Sequence, residues 1–365
     1  MSKIFLLLFI SFLILTCSLF SMQIVEKFPV GLMPTKMEKI ENSSGIFYVI
    51  LIKGDSQLMV LNESYKPVIF IDEISNDGVN DFIYKNGKIY CFGFFSGRLI
   101  IIDASSYPSS WTVTDKISTG SKLLTGVVCD KKLAVLTYDK KFLLIDTSSK
   151  RITKTINLPV EALTIVTDGK YFYISLYYNY EIKTEKMMCD YGVLIYDTDG
   201  KLVKNLEAGK RPSYMIIDNE YLIVVSYLSQ EIKIFSTKNF SLIHNFKIGE
   251  YPNFPFIDNY DNLYLPSTGN AAVHMINLND FSFSNIYVNG RGPIKVLRKD
   301  KYIYILNIIS GTLEKRNLIN GDTEELDIDG YGIDMIMENE YILVLLQEDW
   351  TTLYGSGALQ IISLD

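Results

Sequence analysis

Residues 209–248 read GKRPSYMIIDNEYLIVVSYLSQEIKIFSTKNFSLIHNFKI, and residues 290–329 read GRGPIKVLRKDKYIYILNIISGTLEKRNLINGDTEELDID. Both open on glycine with proline three residues later. A short apolar run follows (SYMII, IKVLR), then a polar turn (DNE, KDK), then a tyrosine-headed β-branched run (YLIVVS, YIYILN). A third run (EIKIFS, TLEKRN) and a fourth (SLIHNFKI, DTEELDI) lead to the next glycine turn. Gly209, Gly249, Gly290 and Gly330 are spaced by 249 − 209 = 40, 290 − 249 = 41 and 330 − 290 = 40 residues. Self-similarity at a fixed period marks a repeat architecture. Upstream, the same turn recurs as GLMP at 31, GVND at 78, GSKL at 120 and LPVE at 158.

Apolar runs of about 4–8 residues rich in Val, Ile, Tyr and Phe, separated by Asn, Asp, Gly and Ser, read as β-meanders. A unit of about 40 residues buries too little surface to fold alone, so each sheet must stack on its neighbours. Stacking around an axis gives a β-propeller, whose strand edges are few and short. The expectation is all-β, a β-propeller of eight blades, with seven as the alternative because the first unit is the most divergent and the fourth carries an insertion. The last unit stops after its third strand (LQIISL), while IVEKFPV at 24–30 belongs to no unit. That N-terminal strand is expected to complete the last blade and close the ring. No helix is expected beyond residue 21.

The composition agrees. The 365 residues are 48% hydrophobic and 21% charged, far too apolar for disorder. Thirty-five Lys+Arg against 42 Asp+Glu give a net charge of −7 and no basic stripe, which argues against a nucleic-acid partner. Length alone would suggest two domains of roughly 150 residues. The repeat replaces that with one β-propeller domain over 22–365.

Residues 1–21 form a separate segment, with Lys3 ahead of the apolar run IFLLLFISFLILTCSLF. This is the layout of a signal peptide or an N-terminal membrane anchor, so the protein is expected to be exported, periplasmic or at the cell surface. Membrane contact is expected only through this segment. Ile14-Leu15-Thr16-Cys17 resembles a bacterial lipobox, which would lipidate Cys17; ordinary cleavage near Ser18 or Ser21 is the alternative. Cys91, Cys129 and Cys189 are too few for a disulfide framework.

The strands YIYILN at 302–307 and YLIVVS at 221–226 are similar to the YVTN-type repeats of bacterial extracytoplasmic β-propellers. So are VLIYDTDGKLVKNLEAG at 193–209 and FLLIDTSSKRITKTINL at 142–158. The resemblance implies the fold and an envelope location. It implies a binding protein in some relatives and a lactonase or cofactor-bearing dehydrogenase in more distant ones, and fold alone does not choose among them.

Sites are expected on the face shared by the turns leading into each innermost strand and the loops joining second to third strands. Two of those loops are long: YNYEIKTEKMMCDY at 178–191 in the fourth unit and EDWTTLYGSG at 348–357 in the eighth. With eight blades they stand opposite each other across the axis. Long loops on a rigid scaffold tend to carry binding residues. Tyr178, Tyr180, Met187, Met188, Trp350 and Tyr354 would form an aromatic and apolar contact surface for a protein, peptide or glycan; the alternative is that they pack on the propeller's own rim. Arg211 and Arg291, two units apart, would hold a carboxylate or phosphate.

Other chemistry is thin. Asp81, Glu161 and Asp334 would converge on the axis and hold a divalent cation, as the resemblance to lactonases implies; this is the basis of an alternative reading as a metal-dependent hydrolase. No other cofactor is expected. His244 in a fourth-strand run and His274 in a third-strand run are expected to stand apart, which speaks against a zinc site or a Ser-His-Asp triad. DTDG at 197 and DIDG at 327 are read as hairpin turns, not calcium loops.

Overall fold

The computed structural model describes residues 21–176, 180–181, 186–187, 192–348 and 355–364, with backbone only at 180–181 and 186–187. Eight four-stranded antiparallel sheets succeed one another as blades of a propeller. Blade 1 consists of Pro34–Asn42, Gly45–Ile52, Gln57–Leu61 and Pro67–Ile71. Blades 2 to 7 occupy residues 79–118, 123–157, 162–206, 212–247, 256–287 and 293–327. Blade 8 takes Tyr331–Glu338, Tyr341–Gln347 and Ser356–Ser363, and its fourth strand is Gln23–Leu32 from the other end of the chain. Helix among the described residues is limited to single turns at Pro108–Ser110 and Thr268–Asn270.

Successive side chains on a strand point to opposite faces, and here both faces are apolar. In Gly45–Ile52, Phe47, Val49 and Leu51 face blade 2, whereas Tyr48, Ile50 and Ile52 face blade 8. The described residues form eight buried hydrophobic clusters, one at each junction between neighbouring blades. An open row of eight sheets would have seven junctions. The eighth, between blades 8 and 1, packs Val30, Leu343, Leu345 and Leu359 against Met37, Tyr48 and Ile50.

The polar turns between first and second strands are tight, with one residue in the left-handed region. Asn219, Asp300 and Asn339 in the DNE, KDK and ENE turns have φ of 48°, 53° and 45°. Asn and Asp tolerate this left-handed region, and it suits tight hairpins. DTDG is a hairpin as expected, with the Asp197 carboxylate accepting the Asp199 and Lys201 amides at 3.0 and 2.8 Å. DIDG is instead part of the connection from blade 7 to blade 8, because the strand Thr323–Asp327 is already the fourth of its sheet. Cys91 and Cys129 are buried free thiols, and Cys17 and Cys189 lie outside the described residues.

The two histidines stand apart, with two phenylalanine rings between them. Strands Leu242–Lys247 and Ala272–Asn277 belong to adjacent blades, and a stack of rings joins them. His274 stacks on Phe283 at 5.7 Å, Phe283 on Phe246 at 5.6 Å, Phe246 on His244 at 5.7 Å and His244 on Phe281 at 4.0 Å. The Gly249 amide donates to His274 Nε2 at 2.9 Å, so Nδ1 carries the proton and donates to Asn285 Oδ1 at 2.6 Å. Burial lowers the His274 pKa from its ordinary 6.5. Protonation therefore favours the unfolded chain, and the stability held by neutral His274 is complete above about 6.5 and lost as the pH falls toward the lowered value. Thermal unfolding followed across this range is expected to show a falling midpoint in acid. The decline should be shallower in His274→Gln, whose amide oxygen accepts the Gly249 N–H at every pH. Identical slopes would contradict a neutral His274.

Candidate functional site

Innermost strands line the axis of a propeller, and here each enters from the same face. In seven blades the first strand carries a register shift just after its start, at Pro34/Lys36, Val79/Asp81, Leu123/Thr125, Ala162/Ile165, Pro212/Tyr214, Pro293/Lys295 and Gly332/Asp334. Such bulges bend the strand and re-aim the next side chain. Blade 6 matches with the bridge of Pro252 to Ser267. One column of residues results: Lys36, Asp81, Thr125, Thr164, Tyr214, Phe254, Lys295 and Asp334.

Neighbours in this column bond across blade junctions. Lys36 donates to Asp81 Oδ1 at 3.0 Å and to the Phe82 carbonyl at 2.5 Å, and the Thr125 hydroxyl donates to Asp81 Oδ2 at 2.6 Å. Lys295 is paired with Asp334, whose other oxygen accepts the Met37 amide at 2.9 Å. On the opposite side Tyr214 and Phe254 meet at a tilt of 55° with ring centroids 4.9 Å apart. Glu38 adds a second carboxylate 3.3 Å from Lys36. Burial opposes the Lys36 charge, yet Asp81 and Glu38 outweigh it and hold its pKa above the ordinary lysine value. Burial pushes the Glu38 carboxyl up against the pull of Lys36.

The three carboxylates expected at the axis therefore have different surroundings. Asp81 and Asp334 are each held by a lysine, and Glu161 sits before the innermost strand of blade 4 with Lys140 at 3.5 Å. Among the described residues no three His, Cys, Asp or Glu side chains are grouped to hold a metal ion. Lys36 and Lys295 were not singled out from the sequence. Aligning the repeats on the glycine turn would have shown them, since Lys295 follows Gly290 as Tyr214 follows Gly209, five residues on.

Around this ring the loops bring up aromatic side chains. Phe94 meets Phe95 at 5.6 Å and Tyr138 at 5.7 Å, which joins the second-to-third loops of blades 2 and 3. Tyr227 meets Tyr251 at 5.5 Å, and the Arg211 guanidinium lies 4.9 Å over the Tyr227 ring, which joins blades 5 and 6. Phe95 is 78% exposed and Tyr138 58%. Arg211 and Arg291 both lie on this face, opening blades 5 and 7 with blade 6 between them. Tyr178, Met188, Trp350 and Tyr354 lie outside the described residues. In the blade 4 insertion the backbone of Tyr180–Glu181 pairs with Lys186–Met187 as a short ribbon.

Ring and face together define the protein as an eight-bladed β-propeller. Its sequence matches no family model and no curated protein. Solved structures match it in fold. BamB from Moraxella catarrhalis aligns with a TM-score of 0.64 at 13% identity, covering 94% of this chain and 99% of that one. The computationally designed Ika8 protein aligns with a TM-score of 0.66 at 7% identity, covering 92% and 97%. The dihydro-heme d1 dehydrogenase NirN, in complex with DHE, aligns with 0.58 at 14% identity, covering 73% of this chain and 60% of that one. At these identities the likeness is one of fold. Of the resemblance to YVTN-type repeats, the propeller is what stands.

Removing the Lys36 charge leaves Asp81 and Glu38 together in a half-buried site. Lys36→Met is expected to cost about 1–3 kcal/mol in urea unfolding at neutral pH, reduced from a fully buried pair by its partial exposure. The exposed Lys210→Met should stay within about 0.5 kcal/mol of wild type. Equal midpoints for the two variants would mean that the axial pairs contribute nothing.

Proposed function

We propose that this chain is an exported, non-catalytic β-propeller of the cell envelope that binds a protein, peptide or glycan on its loop face. The observation that carries this reading is a group of exposed large apolar side chains on the loop face. Phe95, Tyr138, Leu228 and Ile309 lie in second-to-third loops, and Tyr251 and Phe254 lie where the chain leads into blade 6. All six are on one face. Clustered exposed aromatics on a rigid rim suit recognition, since rings give contact area at low entropic cost. Export is supported by Lys3 and the apolar run up to Phe20. No helix among the described residues is long and apolar enough to cross a membrane.

A hydrolase built on Asp81 and Asp334 would first have to displace Lys36 and Lys295. The binding reading needs no such rearrangement and no cofactor. Arg211 and Arg291 would supply anionic contacts within it, and Trp350, Tyr354, Tyr178, Tyr180 and Met187 would extend the aromatic surface from the two long loops.

Purified protein immobilised through its C-terminus should capture a binding component from an envelope extract of its own cells. Trp350→Ala combined with shortening of 178–191 to a tight turn, and separately Tyr251→Ala with Phe254→Ala, are expected to lower capture about tenfold or more. Unchanged capture by both variants, with melting temperatures kept, would refute the loop-face assignment.

A further inference from the structure

A cleft of about 350 Å³ opens on the loop face between blades 1 and 2. That is the small end of the roughly 300–1,000 Å³ seen for ligand sites. Met33, Val79, Phe94 and Phe95 give it apolar walls, and Lys53 and Asn80 supply its polar groups. The walls are fixed. Phe94 and Phe95 donate their amides to the carbonyls of Gly78 and Asp77 at 2.9 and 3.1 Å. Asp77 is itself buried and held by Arg98 at 2.7 Å and Lys116 at 3.1 Å. The Phe95 ring lies directly on Gly78, where a Cβ would come within 2.0 Å of it, at a φ of +56°.

The charges in this cleft are short of partners. Lys53 Nζ donates to Asn80 Oδ1 at 3.2 Å and makes no ion pair among the described residues. Asp81 acts on it through space, but that carboxylate already accepts from Lys36 and Thr125. Burial lowers the Lys53 pKa, as expected of an ammonium that has lost water without gaining a counter-charge. Lys122, also without an ion pair among the described residues, stands 5.2 Å over the Phe94 ring. In a chain of net charge −7, two such lysines beside an apolar cleft favour an arriving anion. The apolar track then continues from Phe94 to Tyr138 on blade 3, which suits an extended ligand more than a compact one.

We infer that this cleft binds an extended acidic peptide segment, with a carboxylate on Lys53, a neighbouring apolar side chain between Met33 and Phe95, and the chain running on over Phe94 and Tyr138 past Lys122. The inference rests on the loop-face reading and names the chemistry of its partner. A neutral glycan would leave both lysines unanswered.

Fluorescence anisotropy with a dye-labelled octapeptide of alternating Phe and Glu, compared with its Phe and Gln counterpart, tests it on the full propeller. Wild type should bind the Glu peptide about tenfold or more tightly, the worth of a hydrogen-bonded charge. Lys53→Met, which keeps the aliphatic stem, should erase that preference. Phe95→Ala, at an exposed position that leaves folding intact, should weaken both peptides about fivefold or more. Failure of the Glu peptide to saturate in the millimolar range, a Glu preference that survives Lys53→Met, or affinities untouched by Phe95→Ala would each overturn the cleft. The envelope-capture variants leave Lys53 intact. Capture that persists while the peptides fail therefore refutes the cleft alone, and loss of the broader reading shows in capture itself.

Discussion

The pairing of Gln23–Leu32 with Ser356–Ser363 is the interaction on which the rest of this structure depends. It is antiparallel along its length, from Gln23 opposite Ser363 to Leu32 opposite Ser356, and it unites the two ends of the chain in one sheet. Each blade is apolar on both faces, so an unclosed row would leave two of them in water. Closure turns these last two faces into the junction around Val30, Tyr48 and Leu345. Fully burying side chains of this size contributes about 1.5–3 kcal/mol each. Met22 and Leu364 complete the adjoining cluster, and Lys27 ties the closing strand to Asp329 and Glu348 at 2.8 and 2.9 Å.

Once the ring is shut, the bulge near the start of each innermost strand sets one side chain per blade at the axis. The backbone device repeats and the side chain does not. Blades 7, 8, 1, 2 and 3 supply Lys295, Asp334, Lys36, Asp81 and Thr125, linked in two hydrogen-bonded sets. Blades 5 and 6 supply the tilted Tyr214 and Phe254 pair. Charges at the axis are thus largely satisfied within the protein, whereas Lys53 and Lys122 make no ion pair among the described residues.

The parts legible in the sequence were those governed by local period. Glycine spacing, strand alternation, polar hairpins and the unassigned segment 24–30 led to eight blades and to the way they close. What depends on contacts between blades was harder to read. Lys36 reaches Asp81 across 45 residues and Lys295 reaches Asp334 across 39, each one repeat apart, so no local pattern marks them as pairs. Loop length drew attention to 178–191 and 348–357, whereas Phe95 and Tyr138, both exposed, sit in short loops.

The closed ring is tested most directly by urea unfolding and amide hydrogen exchange of the chain beside a version lacking residues 22–32. If the N-terminal strand closes the propeller, the deletion lowers the unfolding midpoint steeply and strips exchange protection from Ser356–Ser363 and from Gly45–Ile52, the flanks of the lost junction. A truncated chain with the same midpoint and the same protection in both strands would contradict the account.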